Sequence, residues 1–181
     1  MAGVAGCPVG IDIPAFIRLI KEGDFLEAAR KIKEKNALPA ICGRVCPQES
    51  QCEKECLIGK VKGIEPVAIG RLERFVGDHA VAPKAHPPRF EKPLGKVAIV
   101  GSGPGGLSCA ADLVKYGCEV TVYEALHVIG GVLRYGIPAF RLPKDILDRL
   151  TDQLLQMGVK IRPNTLVGPV ITVDDLFRPN V

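Results

Sequence analysis

The 181-residue chain has no apolar run approaching the ~18–20 residues of a membrane-spanning helix, so no transmembrane segment is expected. It also lacks a strong charge of either sign. The net charge is +4 with the basic residues scattered, too weak a field to argue for nucleic acid or a membrane surface as partner. The opening Met1-Ala-Gly-Val-Ala-Gly-Cys7 has neither a basic segment nor a long apolar one, so a signal peptide is not expected. There is no internal repeat and no low-complexity tract. His79, His86 and His127 show no ligand spacing and read as surface residues, and no side chain reads as a general acid or base. The cysteine count, seven, is odd, and Cys109 and Cys118 fall in an apolar α/β pattern where they read as packed core residues. A secreted disulfide framework is therefore not expected, and a cytoplasmic, reducing location fits better.

What is present divides in two. Hydrophobic residues make up 47 % of the chain, enough for one domain or two small ones. Residues 1–81 read as helical. Asp12 is placed to cap a helix with Ile13, Phe16, Ile17 and Ile20 on one face, and Gly23 ends it. Asp24 caps a second, carrying Phe25, Ala28, Ala29 and Ile32, which Asn36 and Pro39 close. A third is expected from Pro66 to about His79. Residues 82–95 contain Pro83, Pro87, Pro88 and Pro93 and read as a linker. From residue 96 onward the pattern changes to α/β. Val97–Val100 is a continuous apolar run like a buried parallel strand, residues 107–116 are helical, and residues 119–123 alternate as a second strand. A helix beginning at Pro143, a strand at 159–161 and a last helix capped by Thr172 or Asp174 complete the reading.

Between the first strand and its helix lies Gly101-Ser-Gly-Pro-Gly-Gly106, with Glu124 twenty-three residues after Gly101 at the end of the second strand. Such a loop is weak alone and much stronger in this strand–loop–helix context. Gly101 permits the tight turn, Gly103 lets the backbone approach a pyrophosphate, and Gly106 lets the helix pack close to the strand. The helix N-terminus offers free N–H groups to phosphates, and Glu124 suits ribose hydroxyls. The loop itself leaves FAD and NAD(P) open.

The remaining cysteines are Cys7-Pro8, Cys42-x3-Cys46-Pro47 and, five residues on, Cys52-x3-Cys56. Thiolates suit iron–sulfur clusters or zinc. The crowding disfavours zinc, whose sites pair short spacings across a longer loop, while the ferredoxin spacing is absent. An iron–sulfur centre, zinc and free thiols all stay open, with iron–sulfur preferred. A small helical unit with little core needs some such staple.

Five stretches together resemble one family: Gly6-Cys-Pro-Val-Gly-Ile-Asp-Ile-Pro14, Gly43-Arg-Val-Cys-Pro47, Pro66-Val-Ala-Ile-Gly-Arg-Leu-Glu-Arg-Phe75, the glycine loop, and Gly136-Ile-Pro-Ala-Phe-Arg-Leu-Pro-Lys144. The chain resembles the NADPH-dependent glutamate synthase small subunit and its relatives, which include the large subunit of NADH-dependent ferredoxin:NADP oxidoreductase and the amino-terminal part of dihydropyrimidine dehydrogenase. The resemblance implies an all-α iron–sulfur domain (1–81), the linker (82–95), and a partial α/β Rossmann-like FAD-binding domain (96–181). The glycine pair Gly130-Gly131 resembles the flavin half of two-dinucleotide flavoproteins and favours FAD.

By the same resemblance, Cys7, Cys46 and Cys52 with Glu73 ligate one [4Fe–4S] cluster. Cys42 is a bystander. Cys56 belongs to a second cluster whose other ligands, three cysteines before Cys7, are missing here. Ser102, Gly103, Pro104 and Gly106 meet the pyrophosphate, Glu124 the ribose, and Val132 and Arg141 lie near the rest of the FAD. From the residues alone, Glu73 reads equally as an exposed charge, and Arg141 reads rather as a solvated cation before a proline-initiated helix.

The separate NAD(P)H-binding domain of the family, with its own glycine loop, is also missing from these residues, so the chain is expected to be truncated at both ends and inactive alone with NAD(P)H. The implied function is an oxidoreductase subunit passing electrons from NAD(P)H-reduced FAD through iron–sulfur clusters to a partner subunit. The alternative is a non-catalytic iron–sulfur docking module.

Overall fold

The computed structural model describes residues 6–79, 92 and 94–178. The chain divides at Pro83/Lys84 into two compact units, each with its own core. Most of the expected linker, and His86 with it, lies outside the described residues.

The first unit is built from four helices: α1 (Ile13–Lys21), α2 (Phe25–Lys33), α3 (Pro39–Val45) and α4 (Ile69–His79). Asp12 and Asp24 cap α1 and α2 as expected. Their carboxylates accept the N–H of Ala15 (3.1 Å) and Glu27 (3.0 Å), each satisfying a donor that the first turn leaves free. Ile13, Phe16, Ala28, Ala29, Ile32, Ile69 and Val76 form the core, with Cys7 and Cys52 packed against its edge.

The third helix was not expected. Pro39 does not close α2; it opens α3, in the first-turn position where its missing N–H costs nothing. Cys46 ends α3 in an extended conformation (φ −61°, ψ 142°), as the following Pro47 requires. Helices α3 and α4 then pack backbone to backbone. A Cβ on Gly43 would lie 2.5 Å from Arg74 N, and one on Gly77 would lie 2.6 Å from Ala40 N. Arg44 locks the pair through two hydrogen bonds to Asp78 (2.7 and 2.8 Å).

The second unit holds a three-stranded parallel sheet in the order β1 (Gly95–Val100), β2 (Cys118–Tyr123), β3 (Lys160–Arg162). Helix α5 (Pro104–Lys115) connects β1 to β2 and buries Leu107, Ala110, Ala111 and Val114. The short helix α6 (Val132–Tyr135), α7 (Lys144–Gln156) and α8 (Val173–Leu176) follow. Thr172 caps α8 in a reciprocal capping box with Asp175.

Two expectations fail here. Strand β1 is not buried on both faces: only Ile99 is buried, and Val100 is 59 % exposed. Its apolar run lies at the edge of the sheet, so among the described residues one side has no strand partner. Cys109 is exposed, because it lies on α5 away from the stripe that faces the sheet; Cys118 is half-buried. Among the described residues no helix is long and apolar enough to cross a membrane.

Candidate functional site

In the helical unit, the expected ligands lie on four separated segments that pack on one another. Cys7 lies in a turn closed by Gly10 N donating to Cys7 O (3.0 Å). Gly6, at φ +97°, brings that turn against the Cys52 segment, where a Cβ would meet Gln51 O at 2.9 Å and Cys52 Cα at 3.1 Å. Cys46 stands at the end of α3. Glu73 lies on α4 and is only 7 % exposed. The loop carrying Cys52 is pinned to the start of α4 by Glu53, which accepts the Gly70 N–H (3.1 Å). Beside it, Gln48 donates to Cys42 O (2.9 Å) and lies over Gly70, where a Cβ would meet its side chain at 2.4 Å.

The electrostatics mark the same group. Burial pushes Glu73 up to about 7, with the Cys46 charge adding to the rise and a hydrogen bond from Asn36 opposing it. Burial likewise lifts Cys52 to about 11, helped by the charges of Glu53, Cys7 and Glu73. A hydrogen bond from the Cys42 thiol brings Cys46 down to about 7 against its burial, and the same bond raises Cys42. Charge interactions thus link Cys52 to Cys7 and Glu73, and Glu73 to Cys46 and Cys42 alike. Cys56 is not in this set. It is half-buried and its thiol is lowered first by the N–H of Val67, then by those of Gly59 and Ile58, so it faces a small nest of backbone donors.

Among the described residues no three or more His, Cys, Asp and Glu side chains converge as one metal ion would require. A mononuclear zinc site needs donors within ~2.0–2.3 Å of a single ion. A multi-iron cluster spreads its ligands around a core several atoms wide. Three half-buried thiols and a carboxylate whose Oε2 has no hydrogen-bond partner among the described residues suit the second case.

In the α/β unit the loop follows β1 and opens α5. Gly101 takes φ +96°, and a Cβ on Gly106 would lie 2.0 Å from Gly101 O, so helix and strand meet only because that side chain is absent. At Gly101, Gly103 and Gly105 a Cβ would meet nothing within 4 Å. That open ground in front of the α5 N-terminus is room for a phosphate, and Pro104 at the first turn leaves no N–H wasted.

Ser102 does not face this space. It is fully buried, and both its N–H (2.8 Å) and its hydroxyl (2.5 Å) donate to Glu124 Oε2. Its hydroxyl also accepts from Gly130 N (2.9 Å). Ser102 is therefore a brace joining loop, acid and second glycine pair, a role its sequence position did not suggest. Glu124, 6 % exposed, accepts Leu126 N at Oε1 (2.9 Å) as well. Burial would raise it, but hydrogen bonds from Ser102, Leu126 and Ala125 outweigh burial and hold it below the ordinary range. Gly131 (φ +51°) lies against the loop, where a Cβ would be 2.9 Å from Gly103 Cα. Val132, exposed, begins α6, and Arg141 is exposed with only its backbone N bonded, to Pro138 O. His79 stacks on Phe75 and His127 packs edge-on to Tyr135, both exposed.

Sequence reasoning missed Asn36, Glu53 and the glycines of α3 and α4. Gly43 and Gly77 did carry a signal, since glycine inside a helical pattern marks close packing.

In chain order, a cysteine-bearing helical unit is followed by a dinucleotide-type, Rossmann-like α/β unit. The comparisons agree. Residues 1–85 match the family described as dihydropyrimidine dehydrogenase domain II, 4Fe-4S cluster, and residues 99–148 match the NAD(P)-binding Rossmann-like domain. The NAD-dependent dihydropyrimidine dehydrogenase subunit PreT of Escherichia coli (strain K12) is 43 % identical over 176 residues, covering 96 % of this chain and 42 % of that protein. The glutamate synthase [NADPH] small chain of the same strain is 41 % identical over 173 residues, covering 94 % and 36 %. The NADP(+)-dependent formate dehydrogenase subunit beta of Moorella thermoacetica is 40 % identical over 195 residues, covering 95 % and 27 %. The chain is thus similar over nearly its whole length to subunits of this kind, and it spans about a quarter to two-fifths of theirs.

Proposed function

We propose that the protein is an oxidoreductase subunit that passes electrons from NAD(P)H-reduced FAD, through a [4Fe–4S] cluster, to a catalytic or electron-accepting partner subunit in the cytoplasm. What supports this reading is the packing together of the segments that bear Cys7, Cys46, Cys52 and the under-bonded Glu73, in a region that matches a 4Fe-4S cluster domain. When bound, the cofactors supply the change from two-electron to one-electron chemistry.

The chain's own residues bind and orient. Cys7, Cys46, Cys52 and Glu73 would hold the cluster against the core formed by Phe16 and its neighbours. Gly103, Pro104 and Gly106 would shape the pyrophosphate cradle, with Ser102 fixing it from behind. Glu124 would receive a ribose hydroxyl, and Val132 and Arg141 would flank the rest of the FAD. Cys56, in its nest of N–H groups, would serve a second cluster whose further ligands lie outside this sequence. The NAD(P)H reaction is assigned to parts of the protein beyond these residues.

Anaerobic reconstitution followed by iron, sulfide and flavin assay tests the reading. Iron at about four per chain together with FAD supports it. Iron without FAD favours a docking module, and neither sinks both. Reduction of a dye with NADPH by these 181 residues, at a rate typical of an intact flavoprotein, would overturn the placing of that reaction elsewhere.

A further inference from the structure

The stretch from Gly136 to Lys144 ends in a lysine that neither site above uses. Lys144 is the first residue of α7, half-buried, and its side chain reaches back to the end of α6. Its ammonium donates to Leu133 O (2.8 Å) and to Ile137 O (2.5 Å), eleven and seven residues earlier in the chain.

The local backbone explains why both carbonyls need it. Helix α6 is a single turn, and the N–H groups that close it, those of Gly136 (2.8 Å) and Ile137 (2.9 Å), both go to Val132 O. The next residue, Pro138, has no N–H to offer Leu133 O. Pro138 O then takes the N–H of both Arg141 and Leu142 (3.0 Å each), so the following turn does not serve Ile137 O. Lys144 supplies what the backbone there does not, and a carbonyl left without a donor is costly where the chain is buried, as it is at Leu133. Arg134 adds a further tie, donating from Nε to Ile129 O (3.0 Å) and pairing with Asp148 of α7.

The clamped segment begins at the phosphate loop. Gly130 N donates to Ser102 Oγ (2.9 Å), Gly131 lies against Gly103, and Val132 opens α6 with its side chain exposed. One end of α6 is thus held by the loop and the other by Lys144; a single turn has little stability of its own. Val132 precedes the two clamped carbonyls and Arg141 follows them. Resting on the reading of this unit as an FAD site, with Val132 and Arg141 beside the half of FAD beyond the pyrophosphate, we propose that Lys144 is a positioning residue for that riboflavin half. By tying Leu133 O and Ile137 O to α7, it fixes α6 and the Pro138 turn as the wall on which that half rests. The ADP half is left to Gly103, Gly106 and Glu124.

The test is calorimetric titration of the 181-residue chain with FAD and, separately, with ADP. ADP carries both phosphates and the adenosine ribose but lacks the riboflavin half, so the ratio of the two affinities isolates that half. Wild type, Lys144→Met and Lys144→Arg are compared. Methionine keeps the apolar stem and removes the donors, whereas arginine restores donors for both carbonyls. In Lys144→Met, FAD affinity should fall about tenfold or more, because two hydrogen bonds from a charged group are lost, while ADP affinity stays within about twofold of wild type. Lys144→Arg should recover FAD binding.

Unchanged FAD affinity in Lys144→Met, or FAD and ADP affinities that fall together, overturns this inference and leaves the FAD reading in place. A wild-type chain that binds ADP but not FAD overturns the reading beneath it. Lys144→Arg binding FAD as poorly as Lys144→Met, with wild-type circular dichroism in both, shows that the two donors are not what matters and also overturns the inference. If both variants lose the wild-type circular dichroism, the ammonium serves the fold and the inference fails.

Discussion

Each unit buries one glutamate, and the two are treated in opposite ways. Glu124 of the α/β unit accepts from Ser102 twice and from Leu126, and its pKa is held down despite burial. Glu73 of the helical unit accepts from Asn36 alone, and burial carries it up to about 7. A buried carboxylate surrounded by donors keeps its charge in the fold. One with a single donor has its charged form disfavoured by burial and keeps an oxygen open to a further partner. The contrast extends to the glycines. In the helical unit Gly43 and Gly77 let α3 and α4 pack closely; in the α/β unit Gly106 does the same for helix and strand, while Gly101, Gly103 and Gly105 face open ground.

The largest effects should come from filling those glycine contacts. Gly106→Ala places a Cβ 2.0 Å from Gly101 O, and Gly43→Ala places one 2.5 Å from Arg74 N. Each should destabilise its own unit by about 3 kcal/mol or more, since neither neighbour is a flexible side chain. The comparison predicts selectivity: Gly106→Ala loses FAD and keeps iron, and Gly43→Ala loses iron and keeps FAD. Parallel loss of both groups in either variant would break the claim that the two sites are built separately.

Next is Glu73. Glu73→Ala should weaken cluster binding, with iron per chain falling after gel filtration, while Cys42→Ala should leave it unchanged. Equal iron loss in the two variants would count against the ligand set. Cys42 lies on the same short helix as Cys46, so a general disturbance of α3 would affect both measurements alike.

How much of this was legible in the sequence depends on the range of the interaction. The caps at Asp12, Asp24 and Thr172 were readable because a cap is satisfied within three residues. The β-α-β unit was readable from its loop, because the glycine requirements are local backbone requirements. Helix α3 was not, because Pro39 has the same composition whether it ends one helix or starts another, and the deciding contacts are with α4. The roles of Ser102 and Asn36 were hidden for a similar reason. Their partners lie 22, 28 and 37 residues away, and no periodicity links them. The exposure of β1 was missed because an apolar run predicts a buried strand only when the sheet continues on both sides.

Glu124 offers a pH test of smaller size. Its folded pKa is depressed, so the stability it gives is present above the unfolded value, near 4.5, and is lost as pH falls through the lower folded value. Glu124→Gln replaces an acceptor by an amide and should cost about 1–3 kcal/mol at neutral pH. In urea titrations followed by a probe in the α/β unit, the gap between wild type and variant should close as pH falls below about 4.5. A gap that stays constant from neutral to acid pH would mean that the carboxylate charge is not what the Ser102 and Leu126 donors stabilise.

The smallest effect is expected at the cysteines of the α/β unit, and it sharpens the comparison most. Cys109 lies on the exposed side of α5, and Cys118 at the half-buried start of β2. Cys46 and Cys52 of the helical unit, by contrast, are linked by charge to Glu73. Cys109→Ser should change stability by no more than about 0.5 kcal/mol, as at an ordinary surface position, and should leave iron content unchanged. Cys52→Ser, a change of the same single atom, should remove most of the iron. If the two substitutions have equal effects on iron, the thiols of the two units are not different in kind. The division between a unit that uses its cysteines and one that merely contains them would then have to be abandoned.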